Sequence, residues 1–372
     1  MRVMHIVSEP GSRDRGVAQK VEATVTCWRS LGVDADFIDL ATATIGEDGL
    51  GGDPGGTRPR FGRAGWVLEM ERRGRRLLDV LDRERPDVVY SRELVWSPAI
   101  ERIAGRHRLV VEINSDRARE LASSSRAAEV FWRATAPRIR RRAAGIVAVT
   151  GELLERIGPP RVPGIVIPNG TDVPDTAPTR DASTRRARPM FLMVVGRAAP
   201  WHGLDRLSML AEAMPECEFV VCGDLSGEAA SIGPAVRLEA PRTGAGLATL
   251  LREATVAVGS LAIARNDMLE ACPLKSRTCL AAGLPLVYGY VDPALAGDEP
   301  FALRLGEADW TSGPPVDRLR RFLQSVLGAT DLGRKAWTFA RDHLDRSRIE
   351  ERRLDFLRSL VDRPPSTGAR DS

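Results

Sequence analysis

Short β-branched and aliphatic runs alternate along this chain with stretches whose apolar residues recur every three or four positions. That is the pattern of parallel strands joined by amphipathic helices, which assigns the chain to the α/β class. Residues 3–8 read as a first buried strand and GSRDRG as a loop. Val17, Val21, Val25, Trp28 and Leu31 form the apolar stripe of a helix that Gly32 stops. A second strand covers 33–40, and residues 41–65 are rich in Gly, Thr and Pro without a period, which predicts a long loop. A helix over 66–84 ends before Pro86, and four further strands follow at PDVVYS, LVVEIN, GIVAV and GIVIPN.

The segment 174–189, PDTAPTRDASTRRARP, carries Pro, Thr, Ser and charge with no apolar period, the composition of a solvated linker. MFLMVVG then restarts the program. A helix follows with Leu204, Leu207, Leu210, Ala211 and Met214 at helical spacing, and more strands are predicted at CEFVVCG, AVRLEA, TVAVGS and LPLVYG. The two halves read as two similar open, doubly wound sheets of the Rossmann type, which take ligands at the carboxyl ends of their strands. The predicted organisation is a first domain over 1–173, a linker over 174–189, a second domain over 190–345, and a C-terminal helix with a disordered tail over 346–372. Residues 316–361 are helical by period, with Trp337, Phe339, Leu344, Leu354 and Leu357 as core candidates, placed to brace both domains.

A length of 372 residues favours two domains over one core. Lys and Arg number 54 against 50 Asp and Glu, and the basic residues are dispersed, which argues against a nucleic-acid binder. No apolar run reaches bilayer length and the opening residues do not read as a signal peptide, so a cytoplasmic location is expected. Five scattered cysteines without paired metal spacing predict buried, reduced thiols. No Asp-x-Asp motif stands where it would hold a metal, DAD at 34–36 falling inside a strand.

VIPNGTDV, FLMVVGRAAPWHGLDRL, VVCGD and NDMLEACPLKSRTCLAAGLPLVYG, in that order, resemble the donor half of glycosyltransferase family 4. The first strand and its loop, PDVVYSR and VVEINSD resemble the family's other half less closely. The resemblance implies the GT-B fold, two Rossmann-like domains facing a cleft. It implies a retaining transfer of sugar from a nucleotide diphosphate sugar to a hydroxyl acceptor, without a protein nucleophile, bound metal or other cofactor. A glycan, a metabolite or a lipid-linked sugar would serve as acceptor.

Val195-Gly196-Arg197 ends a strand at a glycine and follows it with a guanidinium, whose fork suits a diphosphate. The helix near Gly203 adds N-terminal amides. By resemblance Arg197 binds the donor diphosphate and Glu270 contacts the transferred sugar. His202 stands where the family carries a Lys, which suggests a weaker, pH-dependent phosphate contact that Lys275 would compensate. Ser276 sits with Lys275 at the start of a helix after Pro273. Thr278 occupies the place of a ribose-binding Glu, and a hydroxyl cannot accept two bonds as a carboxylate does.

In the first half, Gly16, Val17 and Lys20 at a helix start and Asn114 after LVVEIN are the candidates near the phosphates and the acceptor. Asn169-Gly170 marks a tight turn. The Arg-rich stretch at Arg138, Arg140, Arg141 and Arg142 reads first as a solvated face and second as a weak peripheral contact with anionic lipid. Two other functions fit the pattern less well. One is a sugar-nucleotide-binding protein with impaired catalysis, suggested by His202 and Thr278; the other is a sugar-nucleotide epimerase.

Overall fold

The computed structural model describes residues 1–7, 15–40, 42–46, 63–122, 125–159, 161–178, 188–226 and 232–362. Within them the chain forms two compact units, one from residues 1–167 together with 350–372 and one from 168–349.

The first unit is built on six parallel strands: β1 (Arg2–Val7), β2 (Asp34–Asp39), β3 (Val88–Arg92), β4 (Leu109–Ile113), β5 (Gly145–Ala148) and β6 (Gly164–Val166). Their order is β2-β1-β3-β4-β5-β6, so the winding reverses between β1 and β3. Helices cover both faces, which is why β3, β4 and β5 read as nearly unbroken apolar runs rather than as alternation. Helix Arg15–Ser30 lays Val21, Val25 and Trp28 on the sheet. The second helix runs over Arg63–Glu84, starting three residues earlier than periodicity predicts. Most of the long loop expected over 41–65 lies outside the described residues, as do GSRD of the first loop, 179–187 of the expected linker and the tail beyond 362.

The second unit repeats the plan with β7 (Met190–Arg197), β8 (Glu218–Asp224), β9 (Val236–Glu239), β10 (Val256–Val258), β11 (Leu286–Tyr288) and β12 (Ala302–Arg304). Its order is β12-β11-β10-β7-β8-β9, with the reversal between β7 and β10. The three-residue β12 is invisible to sequence reading because ALR carries no strand signal of its own. The core gathers Phe191, Met193 and Val195 of β7 with Leu204, Leu207 and Leu210 of the next helix, and with Leu319 and Leu323 from helix Val316–Gly328.

The C-terminal stretch is divided between the two units. Helices Val316–Gly328 and Leu332–Phe339 belong to the second unit, a π-helical turn at Ala340–Leu344 follows, and from Glu350 the helix Arg346–Val361 counts with the first. There Phe356 and Leu360 lie so close to Gly145 that a Cβ on that glycine would stand 2.6 Å from Leu360 Cδ1. Among the described residues no helix is long and apolar enough to cross a membrane, and no three His, Cys, Asp or Glu cluster as metal ligands. All five cysteines are buried and none is in a disulfide.

Candidate functional site

The reversal between β7 and β10 opens a crevice at the carboxyl edge of the second sheet, where ligands enter folds of this type. β7 does not end regularly. Its register with β8 shifts between Val194 and Arg197, and Arg197 resumes pairing opposite Asp224. Gly223 makes this bulge feasible, since a Cβ there would stand 2.1 Å from the Val195 carbonyl oxygen. The bulge leaves Gly196 and Arg197 exposed at the strand tip.

Beyond them a 3-10 turn over Pro200–His202 leads into Gly203, which holds φ 71° and ψ 46°. The left-handed conformation suits glycine, and a Cβ there would stand 3.1 Å from those of Leu261 and Ala262. The turn aims His202. Its Nδ1 lies 3.0 Å from the Ala199 backbone nitrogen and 3.2 Å from the Ala199 carbonyl oxygen, so the backbone of that one residue holds the ring. Burial, and then the charge of Lys275, lower its pKa to about 4. His202 is therefore neutral near neutral pH and offers one N–H. The partly charged, pH-dependent contact expected from sequence is corrected accordingly.

His202, Lys275 and Ser276 come together in a small recess whose walls include Val194, Gly259, Ser260 and Pro273. The Lys275 Nζ lies 3.0 Å from the point where a Gly196 Cβ would stand, so the ammonium reaches the β7 tip from helix Leu274–Ala281. Ser276 is buried, and its hydroxyl bonds Tyr290 at 2.7 Å. It forms wall rather than an outward phosphate ligand. Thr278 donates to the Leu274 carbonyl at 3.2 Å, so its hydroxyl proton is committed within the helix and only its lone pairs remain for a ribose. Glu270 is half-buried on the preceding loop, in a parallel bridge with Val291. Arg197, Glu270 and Thr278 lie outside the recess lining. Asn169, expected as a plain turn residue, is buried; its side chain donates to the Cys272 carbonyl at 2.7 Å.

In the first unit Gly16 lies within the first turn of helix Arg15–Ser30, which begins at Arg15 rather than after the glycine. The side chain of Val17 is outside the described residues. Lys20 and Asn114 meet on Glu112: Lys20 Nζ donates to Glu112 Oε1 at 2.5 Å and to Asn114 Oδ1 at 3.1 Å, and Asn114 Nδ2 donates to Glu112 Oε1 at 2.6 Å. Tyr90 and Arg353 donate to Glu112 Oε2 at 2.5 and 3.0 Å. Arg353 also donates to Glu350 Oε2 at 2.8 Å, which accepts from Trp28 Nε1 at the same distance. Burial alone would raise the Glu112 pKa, but the charges of Lys20 and Arg353 and these hydrogen bonds hold it well below the carboxylate range. Burial is the main cause of the lowered Lys20 pKa. Sequence reading missed Glu112, although a carboxylate inside LVVEIN was a signal; Arg353, more than 200 positions away, carried none.

Residues 15–170 match the model of the glycosyl transferase 4-like domain. No curated protein sequence matches the chain. Sucrose-phosphate synthase from Thermosynechococcus elongatus superposes with TM-score 0.72 at 13% identity, covering 97% of this chain and 99% of that one. A glycosyltransferase from Rickettsia africae gives 0.64 at 12% identity, covering 98% and 99%. HepE from Anabaena, in complex with UDP and glucose, gives 0.63 at 14%, covering 96% and 100%. The chain is a GT-B protein resembling glycosyltransferase family 4.

The GT-B assignment makes the two halves comparable: each presents its polar groups at the carboxyl edge of a sheet beside the winding reversal. The Arg-rich helix Arg126–Arg142 of this GT-B protein is not a free basic face. Arg138 and Arg142 pair with Glu101 at 3.0 and 3.2 Å, and Arg140 pairs with Glu93 at 2.5 Å. These two carboxylates offset two of the four arginine charges at 138–142.

Proposed function

We propose that this protein is a retaining glycosyltransferase that moves a sugar from a nucleotide diphosphate sugar to a hydroxyl acceptor. The observation that carries the reading is the approach of Lys275, which shares a recess with His202, to Gly196 at the tip of β7, at the winding reversal of the second sheet. One permanent guanidinium, one ammonium and one neutral N–H at a bulged strand end form a donor set for a diphosphate. HepE, which has the same fold, was crystallised with UDP and with UDP-glucose, which makes a uridine donor the first to try.

In this reading the bond from the anomeric carbon to the diphosphate oxygen breaks while the acceptor oxygen bonds the same face of that carbon. The acceptor proton passes to the departing phosphate. Arg197, Lys275, the His202 ring and the first amides of helix Leu274–Ala281 meet the growing negative charge, without metal or other cofactor. Glu270 contacts the transferred sugar, and Lys20 and Asn114 orient the acceptor hydroxyl. A glycan, a metabolite or a lipid-linked sugar would serve as acceptor, in the cytoplasm.

The Thr278 hydroxyl bonded to Leu274 favours one second reading, a sugar-nucleotide-binding protein with impaired catalysis. Thermal unfolding against nucleoside diphosphates and their sugars tests both. A ligand at ~100 times its Kd adds about 2.7 kcal/mol. Stabilisation by one base with sugar transfer supports the transferase, binding without turnover supports the second reading, and no stabilisation by any nucleotide sinks both.

A further inference from the structure

The loop that carries Glu270 is pinned by an ion pair buried beneath it. Arg277 of helix Leu274–Ala281 and Asp292 both have 0% side-chain exposure. The guanidinium meets the carboxylate through both Nη atoms, with Nη2 at 2.6 Å from Oδ1. The same Nη2 reaches Cys272 Sγ at 3.1 Å, and the Asn169 backbone N–H donates to that sulfur at 3.1 Å. Immediately before Asp292, Val291 N–H donates to the Leu269 carbonyl at 2.8 Å and Ala271 N–H to the Val291 carbonyl at 3.0 Å. Glu270 thus stands between backbone groups fixed on either side.

As a source of stability this arrangement is poor. Desolvating two charges offsets most of their attraction, and apolar residues of similar volume do as well or better in such places. Arg277 Nε is moreover buried with no hydrogen-bond partner. As a geometric device it is strong, because a bidentate guanidinium–carboxylate pair admits one orientation and leaves a donor aimed at the sulfur. We propose that Arg277 and Asp292 are positioning residues for sugar transfer, fixing Cys272 and through it the loop 269–273 that sets the place of the Glu270 carboxylate. This rests on the donor-site reading above. Arg277 shares its helix with Lys275, so the positioning role shows as a loss of kcat larger than the loss of UDP affinity.

The test compares the wild-type protein with an Arg277→Leu/Asp292→Leu double variant and with Asp292→Asn, which keeps the shape and the acceptor for Ala294 N–H at 2.9 Å. Calorimetry gives the Kd for UDP, cleavage of UDP-glucose with water as acceptor gives kcat, and amide exchange follows Ala271 and Val291. The expected result is a fall of about 100-fold in kcat, the scale of a misplacement of about 1 Å. The UDP Kd should hold within about threefold, or ~0.7 kcal/mol, with faster exchange at both amides and an intermediate effect in Asp292→Asn. Wild-type kcat in either folded variant overturns the proposal, as does an equal loss of UDP affinity and turnover, which a merely structural role produces. A wild-type protein that binds no nucleoside diphosphate and cleaves none of their sugars sinks the donor reading instead; if another base binds, its diphosphate and sugar replace the uridine pair. Unchanged exchange at Ala271 and Val291 in the double variant overturns the positioning role whatever the donor proves to be.

Discussion

The Lys275 ammonium and Gly196 are in such close approach that a side chain at 196 would begin 3.0 Å from Nζ. The obstacle is the far end of a flexible side chain, so Gly196→Ala displaces the lysine rather than the strand. The variant should unfold within about 0.5 kcal/mol of wild type, as surface substitutions do, yet bind UDP about tenfold more weakly, or ~1.4 kcal/mol. Lys275→Met should weaken UDP binding at least as much. Titration calorimetry on both variants checks this, and unchanged affinity in Lys275→Met removes the lysine from the donor set.

His202 links the site to acid stability. Its folded pKa of about 4 lies below the ordinary 6.5, so between those values the unfolded chain binds the extra proton. Stability is complete above the upper value and falls as pH drops through the window. At ~1.4 kcal/mol per pH unit the loss is on the order of 3 kcal/mol. His5, lowered to about 4 mainly by burial, acts in the same direction. Urea unfolding of His202→Gln at a series of pH values should show a shallower acid slope than wild type. Near neutral pH, His202 should impose no pH dependence on UDP affinity.

Gly203 holds a left-handed conformation between His202 and a helix, with the β-carbons of Leu261 and Ala262 against it. Gly203→Ala combines backbone strain with a steric contact and should cost about 1–3 kcal/mol. A denaturant midpoint equal to wild type would mean that the turn adapts, and His202 with it.

Removing Arg353 takes the paired cation from Glu350, whose side chain is 3% exposed, while Glu112 keeps Lys20. Arg353→Met should therefore destabilise by about 3–5 kcal/mol. Adding Glu350→Gln should recover part of that loss, because the uncompensated charge is then gone. A double-mutant cycle in urea measures the coupling, and strict additivity would contradict the network.

Apolar period and the strand-end glycines made much of the fold legible. Eleven of the twelve strands carry a β-branched or aliphatic run that points to them; β12 is ALR, paired only because β11 lies beside it. In the candidate site, Gly196, His202, Gly203 and Lys275 were legible as a motif at one sheet edge. Ser276 and Thr278 were legible as positions only. Their hydroxyls turn to Tyr290 and Leu274, a choice made by the packing of one helix.

What the sequence by itself determined is the alternation of strands and helices, the repetition of one plan in two halves, and the residue types gathered at the strand ends. Those follow from local period and short spacing, which any stretch of chain carries within itself. The tertiary structure alone decided that His202 is neutral, that Glu112 joins Lys20 and Asn114 to a helix near the end of the chain, and that Arg277 is paired rather than exposed. Each of these depends on burial and on partners brought together by folding. Desolvation and pairing act through space, and no period in the sequence records them.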